Sequence, residues 1–473
     1  MNTNLKDTTG DAHSTNAGSK KNKTYMGKAE LMMMQVKNNK KTIWAWSMFD
    51  WANQSYNMVI TSTIFPAYYV AITANKQNGD MVSFLGHKYV NTVLSNYILG
   101  LSYLIIVAIL PVLTSIADYR GHKKLYMQLF TWLGSLSCAG LFFFTMDTFN
   151  FSMICFGLAS IGYCGGFVFY NSYLPQIATI DRQDAVSAKG FIYGFAGSVV
   201  VQIICFIFVL SPHTFGITNE TLPARISFLV VALWWIGFSL IPFYLLPKGT
   251  PNAGSHEYNV FTGGFKELAK VWQRVKELPL LKRFLPAFFF YSVGVQTILL
   301  VAANFGAKEL HMTDESLISI ILIIQLVAII GASLTARLSS RYGNVKVLAA
   351  IVGMWSLICA GVYFIANARQ FYIAAVLVGV VMGGVQSLSR STYSKFIPQN
   401  IPDTASYFSF YDVTEKLSIV IGLFTFGFVE AVTHEMRNSA LVLDGFFVTG
   451  LLLLLSLLAA QTKYEPSKAA VTV

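Results

Sequence analysis

Long apolar runs separated by short polar segments occupy most of the chain. The runs span residues 43–72, 91–114, 124–146, 150–173, 188–211, 224–246, 284–305, 316–337, 345–366, 370–393, 405–430 and 440–461. A helix that crosses a bilayer needs about 20 predominantly apolar residues, and none of the runs alternates like a half-buried strand. The pattern therefore predicts an all-α integral membrane protein with about twelve transmembrane helices and no strands.

The longest interruption, residues 247–283, divides the runs into two groups of six. We therefore predict an N-terminal bundle at 42–246 and a C-terminal bundle at 284–462. Cytoplasmic tails at 1–41 and 463–473 flank the two bundles. Because the first tail is polar and rich in Asn, Thr and Lys, we predict that it is disordered.

The linker at 247–283 contains a stretch in which apolar and basic residues take opposite sides of a helix. The apolar positions are Phe265, Leu268, Val271, Trp272 and Val275, and the basic ones are Lys266, Lys270, Arg274 and Lys276. This spacing predicts an amphipathic helix on the cytoplasmic membrane surface. We interpret it as an interfacial tether, with a regulatory role as the alternative.

Two landmarks recur at nearly the same offset in the two halves. Gly121 and Gly343 each follow the second apolar run of their half and lie 222 positions apart (343 − 121). Pro175 and Pro398 each follow the fourth run and lie 223 positions apart (398 − 175). This internal repeat predicts two pseudo-symmetric six-helix bundles with a site between them, which is a transporter architecture.

Charge is sparse and unevenly placed. Charged residues make up 12% of the chain and the net charge is +11, whereas a soluble domain carries about twice that share of charged residues. The positive charges lie in short segments between apolar runs, so we predict no nucleic-acid partner. Most Lys and Arg fall on one side of the predicted membrane, which the positive-inside rule assigns to the cytoplasm. We therefore expect both termini in the cytoplasm. A bacterial cytoplasmic membrane is a separate expectation for the location of the protein.

Patterns typical of catalysis or metal binding are missing from the sequence. The five cysteines fall within apolar runs without metal-type spacing, and the seven histidines are scattered. A Gly-x-x-x-x-Gly-Lys-Ser/Thr phosphate loop does not occur, which argues against an ATP-driven pump. We predict that the protein is not an enzyme and has neither a cofactor nor a metal site.

A polar stripe runs through the first apolar run. Its members, spaced to share one side of a helix, are Asp50, Asn53, Gln54, Asn57 and Thr61. A carboxylate at membrane depth costs at least ~2.5–3.5 kcal/mol, so the stripe should face protein or water. We predict that it lines a transport pathway, with Asp50, Asn53 and Asn57 in substrate or ion binding.

The eleventh run contains three charged residues, Asp412, Glu415 and Lys416. Asp412 and Lys416 are four positions apart with the acid first, which favours an intrahelical ion pair and leaves Glu415 as the extra charge. A structural ion-pair network and a direct substrate or proton role both remain open at this point.

Arg390 and Gln386 lie one helical turn apart near the end of the tenth run. Arg390 has three interpretations: it holds a substrate carboxylate, it pairs with Asp412, or it is an interfacial positive charge. Tyr163, Tyr170 and Tyr411 are candidate cavity aromatics, for which ordinary helix packing is the alternative. The small residues Gly190, Gly194 and Gly197 predict close helix contact.

Residues 114–123 read Thr-Ser-Ile-Ala-Asp-Tyr-Arg-Gly-His-Lys. The segment resembles the major facilitator superfamily signature Gly-x-Leu-Ala-Asp-Arg-x-Gly-Arg-Lys, with matches at Asp118, Gly121 and Lys123. A second copy near 339–346 has Ser340 at the Asp position. The resemblance implies the superfamily fold and a gate between the bundles. The implied gate residues are Asp118, Arg120, Gly121, Arg341 and Gly343.

Residues 49–55, Phe-Asp-Trp-Ala-Asn-Gln-Ser, carry a narrower similarity. They resemble the Tyr-Asp-Trp-Ala-Asn-Ser start of the autophagy-related vacuolar effluxer-like permeases, apart from the inserted Gln54. Residues 383–391 and 410–413 fit the same branch. The resemblance implies a permease, with amino acids among its candidate substrates.

Together these features predict a monomeric secondary active transporter that moves a small solute, an amino acid or a related metabolite, by alternating access. The predicted coupling step is protonation of Asp50, Asp412 or Glu415, with sodium as the alternative ion. The competing predictions are a drug or metabolite efflux permease with sodium or no ion coupling, a non-transporting receptor, and an integral-membrane enzyme.

Overall fold

The computed structural model describes residues 37–74, 80–249, 260–399, 401, 403–433 and 435–469. The N-terminal half contains α1 (Lys40–Ser55), α2 (Phe65–Thr73), α3 (Asn91–Arg120), α4 (Lys123–Gly140), α5 (Phe149–Asn171), α6 (Leu174–Ile177), α7 (Gln183–Leu210) and α8 (Leu222–Leu245). The C-terminal half contains α10 (Pro279–Leu310), α11 (Asp314–Tyr342), α12 (Asn344–Val362), α13 (Ala368–Phe396), α14 (Thr404–Thr433) and α15 (Met436–Ala469). Helix α9 (Val260–Glu277) lies between the halves, and a π-helical segment, Tyr56–Ile64, joins α1 to α2.

Within the described ranges, ten helices are long and apolar enough to cross a membrane. Two further long helical segments are Lys40–Thr73, formed by α1, the π segment and α2, and α14. These two segments carry Asp50 and the three charged residues Asp412, Glu415 and Lys416. Each predicted apolar run falls on one of these twelve segments, and their ends differ by up to eight residues.

Several predicted boundaries are wrong by a few residues. Helix α10 begins at Pro279 rather than at 284, because a proline in the first helical turn has no amide hydrogen to leave unsatisfied. Helix α15 continues to Ala469 rather than ending at 462. In the first tail, Lys37 donates to the carbonyl of Pro175 at 2.8 Å, and α1 begins at Lys40. The predicted disorder of residues 1–36 lies outside the described residues.

The prediction of no strands is also wrong. Strands β1 (Met81–Phe84) and β2 (His87–Val90) form an antiparallel hairpin between α2 and α3. Its two turn residues, Leu85 and Gly86, both have positive φ (49° and 86°), the geometry of a tight hairpin turn. Because each strand has only four residues, the alternation is too short to stand out beside the long apolar runs.

Each of the repeated glycines follows the end of a helix. Gly121 follows α3 with φ 70°, and Gly343 follows α11 with φ 88°. Glycine adopts positive φ without the steric cost that a side chain would bring. The two turns differ in ψ, which is 23° at Gly121 and 148° at Gly343. What the two positions 222 residues apart share is a positive φ, which favours glycine at both.

Helix α9 packs at the end of the molecule where α3 ends and α14 begins. It buries Val271 and Val275 and leaves Trp272 exposed. It contacts α3, α10 and α14, and Arg274 pairs with Asp403 at 3.1 Å just before α14. Residues 250–259 of the predicted linker lie outside the described residues.

The predicted topology can be tested with reporter cysteines. Asn219→Cys and Asn438→Cys should react with an impermeant thiol reagent added outside, whereas Arg182→Cys and Lys346→Cys should react only from the cytoplasm. The background should be low because all five native cysteines are buried. Labelling from the cytoplasm at both 219 and 438 would contradict the topology.

Candidate functional site

We call the contact between α1, α3, α5 and α7 of the N-terminal half and α11, α13 and α14 of the C-terminal half the seam. Helices α3 and α14 pack together across it, as do α7 with α11 and α7 with α13. Most of the predicted site residues lie on these helices. Their partners across the seam determine what the arrangement can do.

Asp50 on α1 pairs with Arg390 on α13, with 3.3 Å between the Oδ2 and Nη1 atoms. Both side chains are almost completely buried, at 2% and 1% exposure. Tyr170 also donates its hydroxyl to Asp50 at 2.5 Å. Of the three interpretations of Arg390, an interfacial position and a pair with Asp412 are therefore wrong. Its partner is a carboxylate of the opposite bundle.

The Arg390 guanidinium forms several hydrogen bonds and aromatic contacts with the N-terminal half. It donates to the Ser187 hydroxyl at 3.0 Å, the Ser187 carbonyl at 2.7 Å and the Asn171 side chain at 3.1 Å. The rings of Trp46 and Phe191 lie 4.9 and 4.2 Å from its central carbon. Because a buried charge is tolerated only when it is paired and hydrogen-bonded, this environment holds the two bundles together at one point.

The predicted ion pair between Asp412 and Lys416 is wrong. Lys416 pairs instead with its neighbour Glu415 at 2.8 Å, and Gln296 donates to the same carboxylate at 3.0 Å. Both oxygens of Asp412 are buried without a hydrogen-bond partner among the described residues. The Lys416 ammonium lies 5.8 Å from the Tyr103 ring of the N-terminal half, so this charged group also faces the seam.

The rest of the polar stripe has mixed surroundings. Asn53 is buried, and both polar atoms of its amide have no partner in the described part of the chain. The side-chain carbonyl oxygen of Gln386 is also buried without a hydrogen-bond partner among the described residues. Tyr163 donates to Gln54 at 3.1 Å. Half-buried Asn57 lies in the π-helical segment, an irregularity that often marks functional positions.

The candidate aromatics divide into two kinds. Tyr170 contacts Asp50 directly, and Tyr163 lies at the seam within electrostatic reach of Glu415 and Lys416. Tyr411 stacks on Phe288 with ring centroids 4.2 Å apart, which is helix packing within the C-terminal bundle.

Asp118, at the last turn of α3, caps the N-terminus of α14 from the opposite half. It accepts from the Ser406 amide and hydroxyl, each at 2.6 Å, and from the Ala405 amide at 3.3 Å. Buried Lys123 pairs with it at 3.0 Å and donates to Thr404 at 2.6 Å. A carboxylate here satisfies amides that a helix start leaves free and faces the positive end of the helix dipole.

The other implied gate residues do not share this buried network. Arg120 and Arg341 are exposed at the same end of the molecule, and the Arg341 guanidinium lies over the Tyr342 ring. Gly121 and Gly343 form the turns described above. Only Asp118 and Lys123 of the signature segment contact the opposite bundle through the hydrogen bonds described here.

A second network at this end was missed by the sequence analysis. Asp184 on α7 accepts from Lys395 at 2.6 Å, Asn344 at 2.6 Å and Ser339 at 3.2 Å. Gln183 also donates to Gln399 at 3.1 Å. Asp184 and Lys395 are 211 positions apart and each looks like an ordinary loop-end charge. No local pattern could have joined them.

Replacing Asp118 with alanine should open this end of the seam. Loss of a cap costs about 0.5–2 kcal/mol, which shifts the equilibrium between closed and open states up to about thirtyfold. Distances between spin labels placed on the two bundles at this end of the seam should lengthen. Asp181→Ala, an exposed acid at the same end, is the control. An unchanged distance distribution for Asp118→Ala would mean that the cap does not hold the bundles together.

Comparisons with known proteins give the family. The family model described as "Vacuole effluxer Atg22 like" matches residues 38–466. YxiO of Bacillus subtilis (strain 168), an uncharacterized MFS-type transporter, is 28% identical over 425 residues, which are 87% of this chain and 93% of that protein. Autophagy-related protein 22 of Yarrowia lipolytica is 27% identical over 329 residues, or 62% of this chain and 55% of that protein.

The fold is also that of solved transporters. FucP, a major facilitator superfamily transporter crystallised in the outward conformation, superposes with a TM-score of 0.63 at 13% identity, covering 88% of this chain and 97% of that one. The predicted all-α superfamily fold and the predicted branch are thereby confirmed. The chain belongs to the Atg22-like vacuole effluxer family of the major facilitator superfamily and is a multi-pass membrane transport protein.

Proposed function

We propose that the protein is a secondary active transporter that moves a small polar solute by alternating access, with protons as the coupling ion. The observation that supports this most directly is Asp412. Its carboxylate is buried in a membrane-spanning bundle without a hydrogen-bond donor among the described residues. It also lies within electrostatic reach of Cys164 on the N-terminal side of the seam.

A buried carboxylate without donors is costly when charged and far less so when protonated. Lys416 and Arg390 lie within electrostatic reach of Asp412, but neither bonds to its carboxylate. Asp50, in contrast, is bonded directly to Arg390 at 3.3 Å, so Asp412 is the better candidate for the coupling group. Glu415 is likewise compensated by Lys416 at 2.8 Å. Uptake of a proton by Asp412 would remove a charge that opposes closure of the seam. The stability of the two states would then depend on protonation.

The contacts across the seam close the transport pathway at one end. Asp118 with the start of α14, and Asp184 with Lys395, join the bundles at the end that we expect to face the cytoplasm. These contacts must break when the bundles rock to expose the site on that side. Cargo and coupling ion need only favour one of two states of similar free energy to drive the change.

Asp412→Asn tests the coupling role, because asparagine keeps the shape of the side chain and removes its titration. In proteoliposomes, uptake driven by a pH gradient should fall to background while exchange of labelled substrate continues. Asp444→Asn is the matched control: Asp444 is another intramembrane carboxylate, bonded to Ser356 at 2.6 Å within the C-terminal bundle. Both variants should be compared with wild-type protein reconstituted at the same density.

Wild-type dependence on the pH gradient in Asp412→Asn would rule out Asp412 as the coupling group. Uptake that follows a sodium gradient instead would favour the sodium alternative. The substrate for these assays is found first by a counterflow screen. We propose that the screen begin with amino acids and related metabolites and continue to drug-like cations, which the efflux alternative predicts.

We further propose that the protein acts as a monomer in a bacterial cytoplasmic membrane with both termini in the cytoplasm. The charge distribution along the sequence supports this orientation. The cysteine labelling described above tests it independently of any transport assay.

A further inference from the structure

A cavity of about 510 Å³ lies at the inner end of the C-terminal bundle, away from the seam residues described above. It is formed by the end of α9, the start of α10 and the inner half of α15. Its size falls in the range of about 300–1,000 Å³ that is common for ligand sites. Three of its lining residues are basic: Lys276, Lys282 and Arg283.

The lining changes from charged to apolar along the expected membrane normal. Lys282 and Arg283 come just before the apolar run at 284–305, at the depth of the lipid headgroups. Pro286 and Leu453 also line the cavity, and the expected topology puts them on the side toward the bilayer centre. Beside them on α15, Leu452 is 62% exposed. A ligand in this cavity would have its charged part among the basic side chains and an apolar part against the lipid-facing surface.

We propose that this cavity binds the headgroup of an anionic phospholipid from the leaflet that faces the inner end of the bundles. Basic residues near a membrane surface attract anionic lipids. The first turn of α10 at Pro279 also lines the cavity, so the positive end of its helix dipole favours a phosphate. Glu277 lines the cavity as well and opposes this attraction, but three basic groups outnumber it.

The site adjoins the helix that contacts the inner gate. Lys276 is two positions after Arg274, which pairs with Asp403 at 3.1 Å. Trp272 on the preceding turn packs against Phe410 of α14, with ring centroids 5.3 Å apart. A lipid that holds the end of α9 would therefore also hold the segment that contacts the start of α14.

The test uses the full-length protein in detergent and needs no transport assay. Its melting temperature is followed while phosphatidylglycerol or phosphatidylcholine with identical acyl chains is added. Phosphatidylglycerol should stabilise the wild-type protein at lower concentration than phosphatidylcholine. The triple variant K276Q/K282Q/R283Q should need roughly tenfold to hundredfold more phosphatidylglycerol for the same shift. The matched control, R337Q/R341Q/K346Q, removes three exposed charges from the same half and should respond like the wild type.

Glu277→Gln keeps the proposal testable if the triple variant does not fold. Removing the opposing carboxylate should increase the preference for phosphatidylglycerol, and an unchanged preference would overturn the proposal. An equal loss of response in the control triple would also overturn it, since the effect would then follow total charge. Equal stabilisation by inorganic phosphate alone would assign the cavity to a soluble anion rather than to a lipid.

Discussion

Replacing Arg390 with methionine is expected to destabilise the protein by about 3–5 kcal/mol and to abolish transport. Removal of one member of a buried ion pair leaves the other charge without compensation. Asp50, 2% exposed, would keep only the Tyr170 hydroxyl as a donor among the contacts described here. The hydrogen bonds that Arg390 donates to Ser187 and Asn171 are lost as well. Thermal unfolding in detergent, followed by counterflow transport, measures both effects.

A double variant separates the role of the charge from that of the fold. Asp50→Asn combined with Arg390→Met removes both charges, and it should recover much of the stability lost by Arg390→Met alone. Transport should stay absent if the pair takes part in the cycle. Arg437→Met is the control, because Arg437 pairs with Glu309 where both are about one-quarter exposed, and such pairs contribute at most about 1 kcal/mol. Equal losses in Arg437→Met and Arg390→Met would contradict the assignment.

The architecture was largely predictable from the sequence because it depends on properties that repeat locally. Length and hydropathy of the runs are fixed by the thickness of the bilayer. The paired turns at Gly121 and Gly343 reflect a backbone requirement that only glycine meets easily. The sequence did not predict how far each helix extends beyond its apolar part. The last helix, for example, continues through polar residues to Ala469.

The sequence predicted which residues belong to the candidate site, but it did not predict which of them contact one another. Asp50 stood out because a carboxylate in an apolar run is rare. Its partner Arg390 lies 340 positions away and is brought close only because α13 and α1 both pack against α7. The local rule for Asp412 and Lys416 failed for a related reason. Lys416 is directed toward Tyr103 of the other bundle, where Glu415 is the nearer acid.

Gly190→Ala is expected to disrupt the same ion pair without removing any of its members. An alanine Cβ at this position of α7 would lie 2.6 Å from the Tyr170 hydroxyl, 2.7 Å from the Asp50 carboxylate and 2.8 Å from the Arg390 guanidinium. All three groups are fixed by their mutual bonds, so none can move away without breaking a buried contact. Overpacking of this kind costs about 1–3 kcal/mol. We expect a lower melting temperature and a severe loss of transport.

Other helical glycines provide graded controls for this prediction. At Gly194, one turn further along α7, the nearest atom would be 3.3 Å from the added Cβ, so Gly194→Ala should have a small effect. At Gly237 on α8 no atom lies within 4 Å, and alanine there should be neutral or stabilising, since alanine is the better helix former. Losses in the order Gly190, Gly194, Gly237 would support direct contact with the ion pair. Similar losses at all three would mean that the glycines act through the general flexibility of the helices, and that Asp50, Tyr170 and Arg390 are not held as tightly as their geometry indicates.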